Sequence, residues 1–498
     1  MAEATAPIHA DSGLPAVDPG RLAGNYLTLV AGELLSKLIT LVCYTWLGRL
    51  LGASRYGSLE FVLAVMMFFI IAAELGLNVF GATEVARDRT RAPALLRRVV
   101  SLRLVLSAVA FVALLCFAWL IDKPAEIKQL LVFYGFSLMA WPFALQWFFQ
   151  GHDRMEWVAA ASLARHGTFA ALVFAFFRPH SSLLLLGLFE LISMSAVAAL
   201  SLIVVRRRFR APALPARHVR IRSWESLRRS VPIGLSQLTG VLHWYFATVL
   251  LGLLSDGRSL GWFGASHRAT VALHTFVWLY FVNLLPSISR AVARRRDELG
   301  PLFRNSIRVA AWSGLFVAVA MTVFSRQVLT LAYGPEFAPA GGLFALLVWA
   351  VPIAMVGGHY AYTLIGANLQ GWRLGSAAAG ATVAVAAGLA LIPRFGATGA
   401  AVALLLASAV DLVISGVFVR RKVGPITALA VLARPAAVTV ASLVVYTFLA
   451  RWNSLAAGTA AVLLFLLLLA LWERAALGRL FSTLSTAEIP LIRRRSHP

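Results

Sequence analysis

The chain has 498 residues, of which 60% are hydrophobic and 13% are charged, and its mean hydropathy is +0.80. This composition excludes an ordinary water-soluble globular protein, which needs far more polar surface. The formal net charge is +24. The arginines nevertheless form short clusters between apolar runs instead of one continuous basic face, so nucleic acid is not an expected partner.

About fourteen apolar runs follow one another along the chain, and each is close to the ~20 residues that a helix needs to cross a bilayer. The sequence therefore predicts an all-α polytopic membrane protein. The first 20 residues lack the basic segment of a signal peptide, so the first run is expected to stay in the protein. The predicted spans are residues 27–48, 58–80, 99–121, 129–149, 157–177, 183–205, 231–253, 261–285, 309–331, 343–366, 375–392, 399–419, 436–451 and 455–473.

Arginine clusters occupy alternate loops, and the loops between them hold only one or two basic residues. The positive-inside rule places the basic loops in the cytoplasm. Both termini are then cytoplasmic, which requires an even number of spans and agrees with fourteen. The basic loops contain Arg87, Arg89, Arg91, Arg97 and Arg98; Arg206, Arg207, Arg208, Arg210, Arg217, Arg220, Arg222, Arg228 and Arg229; Arg294, Arg295, Arg296 and Arg304; Arg420, Arg421 and Lys422; and Arg493, Arg494 and Arg495.

The spans predict two six-helix bundles of similar topology, related by a pseudo-two-fold axis, with two further helices at the C-terminal end. An arginine-rich segment between the bundles is expected to fix topology and to contact anionic lipid headgroups, at ~1 kcal/mol per basic residue. A specific partner site is the alternative for this segment. The predicted units are a cytoplasmic tail (1–22), the first bundle (23–205), the basic linker (206–230), the second bundle (231–419), two added helices (420–473) and a basic cytoplasmic tail (474–498).

Short motifs that contain glycine or proline punctuate the spans. Such residues permit tight turns and close helix packing, so alone they specify packing and not chemistry. The motifs are Gly24-Asn25-Tyr26-Leu27, Leu47-Gly48-Arg49-Leu50-Leu51-Gly52-Ala53, Tyr56-Gly57 and Glu74-Leu75-Gly76-Leu77; Trp147-Phe148-Phe149-Gln150-Gly151 with Arg154-Met155; Val231-Pro232-Ile233-Gly234-Leu235; Leu285-Pro286-Ser287-Ile288-Ser289-Arg290; Tyr333-Gly334-Pro335-Glu336-Phe337; and Ile392-Pro393-Arg394-Phe395-Gly396-Ala397-Thr398-Gly399-Ala400-Ala401.

In this order, and with fourteen spans, these motifs resemble the bacterial polysaccharide-biosynthesis flippases of the O-antigen translocase type. That family belongs to the multidrug/oligosaccharidyl-lipid/polysaccharide exporter superfamily. Its members usually carry aspartate where this chain has Glu74. The motifs identify the family without naming a substrate.

The resemblance implies a transporter, not an enzyme, that works by alternating access in the bacterial cytoplasmic membrane. It would flip polyprenyl-diphosphate-linked oligosaccharide for surface polysaccharide, with membrane lipid and polysaccharide-assembly proteins as further partners. Alternatives are a multidrug or cation antiporter of the same superfamily, a lipid-linked peptidoglycan precursor flippase and, from another class, a membrane glycan polymerase. A polymerase predicts a large exterior loop with acidic residues, and the sequence contains no such loop.

Cationic and aromatic side chains within the predicted spans are candidates for a cationic central cavity, because ionisable groups in a membrane are costly and mark functional sites. Arginine binds phosphate bidentately and stays charged in a low dielectric. The competing interpretations are arginines that reach the interface, histidines that only pack, and aromatics that face lipid. The predicted substrate-cavity residues are Lys37, Arg165, Arg268, His243, His274 and Trp244.

Three acidic residues are assigned to spans and are candidates for ion coupling, since a carboxylate in lipid can carry a proton. Asp411 is the first choice, followed by Glu33 and Glu190. Glu33 and Lys37 lie four residues apart on one helical face, where they form an intrahelical ion pair or line a cavity. The chain has no phosphate-binding loop motif and no cysteine–histidine cluster, and Cys43 and Cys116 fit as small apolar residues, so no cofactor or metal is expected.

Overall fold

A computed structural model describes residues 19–209, 223–294, 296–426 and 428–474. Within these ranges every regular element is a helix, so the predicted all-α fold is confirmed. The α-helices are α1 Pro19–Glu74, α2 Leu77–Arg87, α3 Ala92–Leu120, α4 Ala125–Gly135, α5 Ser137–Ala140, α6 Gln146–Gly151, α7 Met155–Phe176, α8 Leu184–Arg208, α9 Ser223–Leu254, α10 Gly257–Arg294, α11 Arg296–Val323, α12 Ser325–Tyr333, α13 Ala340–Leu347, α14 Ala350–Gly366, α15 Gln370–Lys422, α16 Leu429–Leu449 and α17 Ser454–Trp472.

Two of these helices are too long for a single crossing. α1 has 56 residues and α15 has 53, so each is about 80 Å long against a hydrocarbon core of ~30 Å. Each bends at one glycine with positive φ, Gly52 at +69° and Gly396 at +54°, a conformation that glycine adopts without steric cost. In the described part of the chain, twelve helical segments are apolar and long enough to span a membrane, and these two bends bring the crossings to the predicted fourteen.

Several helix bounds differ from the predicted spans. α8 continues through Arg206, Arg207 and Arg208, because cations in the last turn of a helix complement its dipole. α9 already begins at Ser223, and α15 ends at Lys422, so helix extends into both predicted connecting segments. Residues 1–18, 210–222 and 475–498, which include most of both tails and half of the linker, lie outside the described residues. The division into bundles by residue number stays a prediction.

The described helices pack as two lobes. We call α1–α8 the first lobe and α9–α15 the second lobe, and α16 and α17 lie against α11 of the second lobe. The lobes meet where α1 packs against α9 and α10. α1 also meets α12 and the turn after it, where the buried ring of Tyr56 lies edge-on to Tyr333 and Phe337, with centroids 5.7 and 5.8 Å away. Aromatic packing of this kind fixes how the lobes sit against each other.

A break in the fourth span is stabilised by a buried arginine that the sequence interpretation overlooked. Between α5 and α6 the chain forms a 3₁₀ turn at Trp141–Phe143 and then leaves helical geometry at Ala144. Arg103 of α3, only 1% exposed, donates to the Trp141 and Ala144 carbonyls at 2.8 and 3.1 Å. Irregular backbone inside a membrane is tolerated only where its polar groups find partners within the protein, and Arg103 provides them here.

Replacement of Arg103 by methionine is expected to destabilise the protein by about 2–5 kcal/mol, because two buried carbonyls lose their donor and the nearby Glu74 carboxylate, 3.7 Å away, loses its cation. The measurement is the thermal unfolding midpoint of the purified protein in detergent. Arg394→Met is the control, since Arg394 is exposed and bonds only a carbonyl of its own helix. Equal unfolding midpoints for the two variants would contradict this role.

Candidate transport site

A cavity of about 210 Å³ lies between the two lobes, and we call it the inter-lobe cavity. The first lobe contributes Tyr44 and Glu60 from α1, Arg165 from α7 and Glu190 from α8, among others. The second lobe contributes the following residues from α9 and α10: Tyr245, Thr248, His267 and Arg268. Ionisable groups from both lobes therefore face one space deep in the membrane-spanning part of the protein.

Arg268 forms the main polar link across this cavity. Its Nε and Nη2 atoms lie 2.8 and 2.7 Å from one carboxylate oxygen of Glu60. Its guanidinium also stacks over the ring of Tyr44, 3.7 Å from the centroid. Glu60 and Tyr44 belong to the first lobe, so Arg268 of α10 ties the second lobe to the first by an ion pair and a cation–π contact.

Arg165 makes a second ion pair on the first-lobe side of the cavity. Its Nη2 and Nε atoms donate to Glu190 at 2.6 and 3.2 Å, and its guanidinium lies 5.0 Å from the ring centroid of Trp141. Trp141 in turn donates to Glu74 at 2.6 Å. The predicted cation Arg165 and the predicted ion-coupling residue Glu190 are thus partners of each other.

These pairs change the expected electrostatics of the cavity. The sequence interpretation expected a cationic cavity, but both arginines are neutralised by carboxylates that line the same space. The pairing has a physical cause, because an unpaired guanidinium buried in a low dielectric costs several kcal/mol. An anion can bind either arginine only if it displaces the carboxylate partner of that arginine, or if the carboxylate is protonated.

A larger cavity of about 600 Å³ lies within the second lobe, and we call it the second-lobe cavity. It is lined by helices α9, α10, α14 and α15. Arg373 and Asp411, both on α15, face it as an ion pair of 2.7 Å. His243 of α9 lies 3.0 Å from the hydroxyl of Ser408, and His274 of α10 packs edge-on against Trp244 at 4.8 Å.

The structure divides the predicted site residues into three groups. Arg165, Arg268 and Glu190 line the inter-lobe cavity, whereas His243, Trp244, His274 and Asp411 line the second-lobe cavity. Glu33 and Lys37 line neither cavity, and in the described part of the chain no ion pair joins them. They precede Thr40, the first α1 residue at the inter-lobe cavity, by one or two turns.

Two important ionisable residues were missed because their positions relative to the helix ends were misjudged. Glu60 stands two residues inside the predicted span 58–80 and was not counted among the buried acids. The turn at Gly52 places Glu60 about two helical turns into its span. Arg373 precedes the predicted span 375–392, but α15 begins at Gln370. Counting from the Gly52 motif would have identified Glu60.

The lobes touch very closely at one end of the inter-lobe cavity, near the bend of α1. A Cβ atom added to Gly57 would lie 1.9 Å from the carbonyl oxygen of Gly257, and one on Gly261 would lie 1.9 Å from that of Ala53. Backbone meets backbone here, with no room for a methyl group. We call this the Gly57–Gly261 contact, and it lies on the side opposite the predicted basic loops.

Glu336, which follows α12 in the second lobe, reinforces this contact. Its Oε1 atom accepts the backbone N–H of Ala53 at 3.1 Å, at the point where the second span begins. Its main-chain carbonyl accepts from the indole of Trp262 at 3.0 Å. Arg49 of α1 donates to the carbonyls of Leu331 and Ala332 alongside. Glu336 therefore bridges α1 and α10 at this end, through its carboxylate to α1 and its main-chain carbonyl to α10.

The lobes also touch at the opposite end. α1 ends at Glu74, and Gly76 adopts φ +77°. A Cβ atom on Gly76 would lie 2.4 Å from the carbonyl oxygen of Ser230, and one on Gly234 would lie 2.7 Å from the carbonyl carbon of Leu75. We call this the Gly76–Gly234 contact. It lies about 30 Å along the second span from Gly57, so the lobes touch at two well-separated levels.

Removal of the Glu336 carboxylate by Glu336→Ala is expected to weaken closure at the Gly57–Gly261 contact. A hydrogen bond to a charged group contributes ~1.5–3 kcal/mol, equivalent to a tenfold or larger shift toward the open state. Cys43 lines the inter-lobe cavity and is buried. Labelling of Cys43 by a membrane-impermeant thiol reagent, in a Cys116→Ser background, measures the shift.

Glu126→Ala is the control for this variant, because Glu126 is exposed and precedes the predicted fourth span. Equal labelling of Cys43 in Glu336→Ala and Glu126→Ala would contradict the role of Glu336.

A family model described as polysaccharide biosynthesis protein matches residues 22–292, which is nearly all of the first lobe and of the first two helices of the second. The chain belongs to this family. A relative in Escherichia coli (strain K12), described as a candidate O-antigen transporter, is 21% identical over 319 residues. The match covers 63% of this chain and 75% of the relative. Together with the apolar helices, these matches support the conclusion that the chain is a multi-pass membrane transporter.

Two groups of solved structures share this fold. The lipid II flippase MurJ in an inward closed conformation superimposes with a TM-score of 0.72 at 10% identity, covering 91% of this chain and all of that one. An inward-facing multidrug resistance MATE family transporter of the MOP superfamily gives 0.66 at 16% identity, with 78% and 94% covered. At such identities the likeness establishes the two-lobed fold and leaves the substrate open.

Proposed function

We propose that this polysaccharide biosynthesis family member flips polyprenyl-diphosphate-linked oligosaccharide across a bacterial cytoplasmic membrane for surface polysaccharide assembly. The observation that carries the proposal is the pair of arginines, Arg165 and Arg268, in a cavity between two lobes. The family match and the Escherichia coli relative, which is described as a candidate O-antigen transporter, support this substrate class. The substrate would be O-antigen, capsule or exopolysaccharide precursor.

The diphosphate is the part of the substrate that the inter-lobe cavity suits. Two guanidinium groups offer planar, bidentate donors for phosphate oxygens, and both arginines line the same space. Glu60 and Glu190 hold these donors in place in this structure. We propose that Glu190 releases Arg165 either when Glu190 takes up a proton or when phosphate displaces Glu190. Release by protonation would couple substrate binding to proton movement.

Alternating access would then use the two contacts between the lobes as gates. Rocking of the lobes about the cavity would open the Gly76–Gly234 contact to the cytoplasm and the Gly57–Gly261 contact to the outside in turn. This assignment of sides, with both termini cytoplasmic, follows the positive-inside prediction. Asp411 and Glu33 remain further proposed ion-coupling residues, and Lys37 a further proposed cation for the headgroup.

A second candidate function is the export of cationic drugs. The carboxylates of Glu60 and Glu190 in the inter-lobe cavity make binding of a cation more favourable there than it would be in a purely cationic cavity. The fold shared with a multidrug transporter is compatible with it. A third is a lipid-linked peptidoglycan precursor, which carries the same diphosphate chemistry. The family match favours polysaccharide precursors over both.

Deletion of the gene tests the proposal, with lipid-linked oligosaccharide and surface polysaccharide assayed together. We expect the lipid-linked precursor to accumulate on the cytoplasmic side and surface glycan to be lost. Wild-type protein should restore both and Arg268→Ala should restore neither. Unchanged glycan together with altered sensitivity to cationic compounds would favour the drug antiporter, and arrested peptidoglycan synthesis would favour the third candidate.

A further inference from the structure

Four large aromatic side chains form part of the wall of the second-lobe cavity. Trp244 on α9, Trp278 and Phe281 on α10 and Tyr362 on α14 all line it. Phe281 and Tyr362 are stacked, with centroids 4.9 Å apart and planes inclined by 19°. Its volume of about 600 Å³ falls within the ~300–1,000 Å³ typical of ligand cavities. The cavity therefore offers flat apolar faces to a ligand of several rings.

The polar groups of this cavity are hydrogen-bonding groups without net charge. Arg373 is neutralised by Asp411, and it also donates to Ser376 at 2.9 Å. His243 is held by Ser408, and Gln370 adds an amide at the cavity wall. Charged side chains that are already paired still present free lone pairs and N–H groups at their outer edges. Such a set suits a ligand with many hydroxyl groups.

This cavity and the inter-lobe cavity share a wall formed by side chains of α9 and α10. Trp244 lines the second-lobe cavity, whereas its neighbour Tyr245 and His267 line the inter-lobe cavity. The His267 ring contacts both, with centroids 5.9 Å from Trp244 and 5.6 Å from Tyr245. In the described structure the Nε2 atom of His267 is buried with no hydrogen-bond partner. The shared wall thus contains a polar atom with unused hydrogen-bonding capacity.

We propose that the second-lobe cavity binds the sugar part of the substrate while the inter-lobe cavity binds its diphosphate. This inference rests on the proposed function. A sugar ring presents C–H groups on its faces and hydroxyl groups at its edge, which matches aromatic walls combined with neutralised Arg373–Asp411 and His243–Ser408 pairs. Movement of Trp244 and His267 in the shared wall joins the two cavities into one headgroup site.

Other ligand classes fit this cavity less well. An anionic group finds no unpaired arginine among its described lining residues, because Arg373 is held by Asp411. A lipid tail would strand two histidines, an ion pair and an amide against hydrocarbon, at a cost of several kcal/mol. The diphosphate therefore belongs with Arg268 and Arg165, and the sugars belong here.

A larger side chain in place of Gly240 would fill part of this cavity without removing any of the side chains that line it. It lines the cavity on α9, and a Cβ atom there would meet nothing within 4 Å. Gly240→Leu places a branched side chain at the cavity wall and favours the helix, since glycine is a poor helix former. Gly167→Leu is the matched control, because Gly167 on α7 is equally unobstructed and lines neither cavity.

The test compares binding of two lipids to purified full-length protein by native mass spectrometry. One is polyprenyl diphosphate without sugar, and the other is lipid-linked oligosaccharide extracted from cells that lack the gene. In wild type and Gly167→Leu we expect the glycan to raise affinity at least about tenfold, the value of one or two buried hydrogen bonds. In Gly240→Leu the ratio of the affinity for the lipid-linked oligosaccharide to that for the sugar-free lipid should fall to about one, with binding of the sugar-free lipid unchanged.

A ratio that stays at the wild-type value in Gly240→Leu, or one already near unity in wild type, would overturn the proposal. Trp278→Ala provides a second variant, which removes an aromatic wall instead of filling the space, and the same loss of ratio is expected. Failure of the proposed function has a different signature. In that case neither lipid would bind wild-type protein more tightly than a phospholipid without diphosphate.

Discussion

Replacement of Gly261 by alanine is expected to reduce transport by more than about tenfold and to leave the inter-lobe cavity open on one side. The added methyl group would sit 1.9 Å from the Ala53 carbonyl oxygen, so the lobes cannot close there without moving apart by an ångström or more. A transporter that cannot close one side cannot complete its cycle. Accumulation of lipid-linked precursor measures transport, and labelling of Cys43 from outside measures opening.

Gly371→Ala is the control for this variant, because a Cβ atom at Gly371 would meet nothing within 4 Å. It should label and transport like wild type. The amount of protein in the membrane and its elution from a size-exclusion column show whether each variant folds. If a folded Gly261→Ala protein transports normally and Cys43 stays unreactive, the Gly57–Gly261 contact is not a gate.

Loss of the Arg268 side chain is expected to reduce both stability and transport, and a double variant separates the two effects. Arg268→Ala leaves Glu60 buried without its cation, which costs ~3–5 kcal/mol. Transport should fall at least about a hundredfold, since two charge-assisted hydrogen bonds to phosphate, of ~1.5–3 kcal/mol each, are lost. Thermal unfolding and precursor accumulation are the two measurements.

The double variant Arg268→Met/Glu60→Leu replaces the ion pair by apolar side chains. Such replacements are often neutral or stabilising for a buried pair, so the unfolding midpoint should return toward wild type. Transport should remain absent, because the donor for phosphate is still missing. Recovery of transport together with stability would show that Arg268 serves only to hold the lobes together, and the proposed diphosphate site would then be wrong.

The fold was predictable from the sequence because each membrane-spanning helix is indicated by residues that are neighbours in the chain. A run of about twenty apolar residues must become a helix in lipid, where every backbone group needs an internal partner. The motif around Gly52 marked a bend between two spans, and the structure places positive φ at that residue. The predicted second span, 58–80, instead ran past Gly76, where the structure ends α1 at Glu74 and places a positive φ.

The site was only partly predictable, because its contacts join residues that are far apart in the chain. Glu60 and Arg268 are 208 positions apart, and no periodicity in the sequence relates them. The sequence interpretation therefore recognised Arg268 as a buried cation but expected it to be unpaired. It also grouped His243 and Trp244 with Arg268, although Trp244 and Tyr245, adjacent on one helix, face different cavities. Helix rotation, which tertiary packing sets, decides that division.

Reconstitution of purified protein into liposomes measures the central claim most directly. The liposomes contain lipid-linked oligosaccharide, and a sugar-modifying enzyme added outside reports how much of it becomes accessible. We predict that wild-type protein exposes the lipid-linked oligosaccharide from the inner leaflet, whereas Arg268→Met/Glu60→Leu protein, equally well folded, does not. No difference between wild type, the double variant and protein-free liposomes would contradict the account.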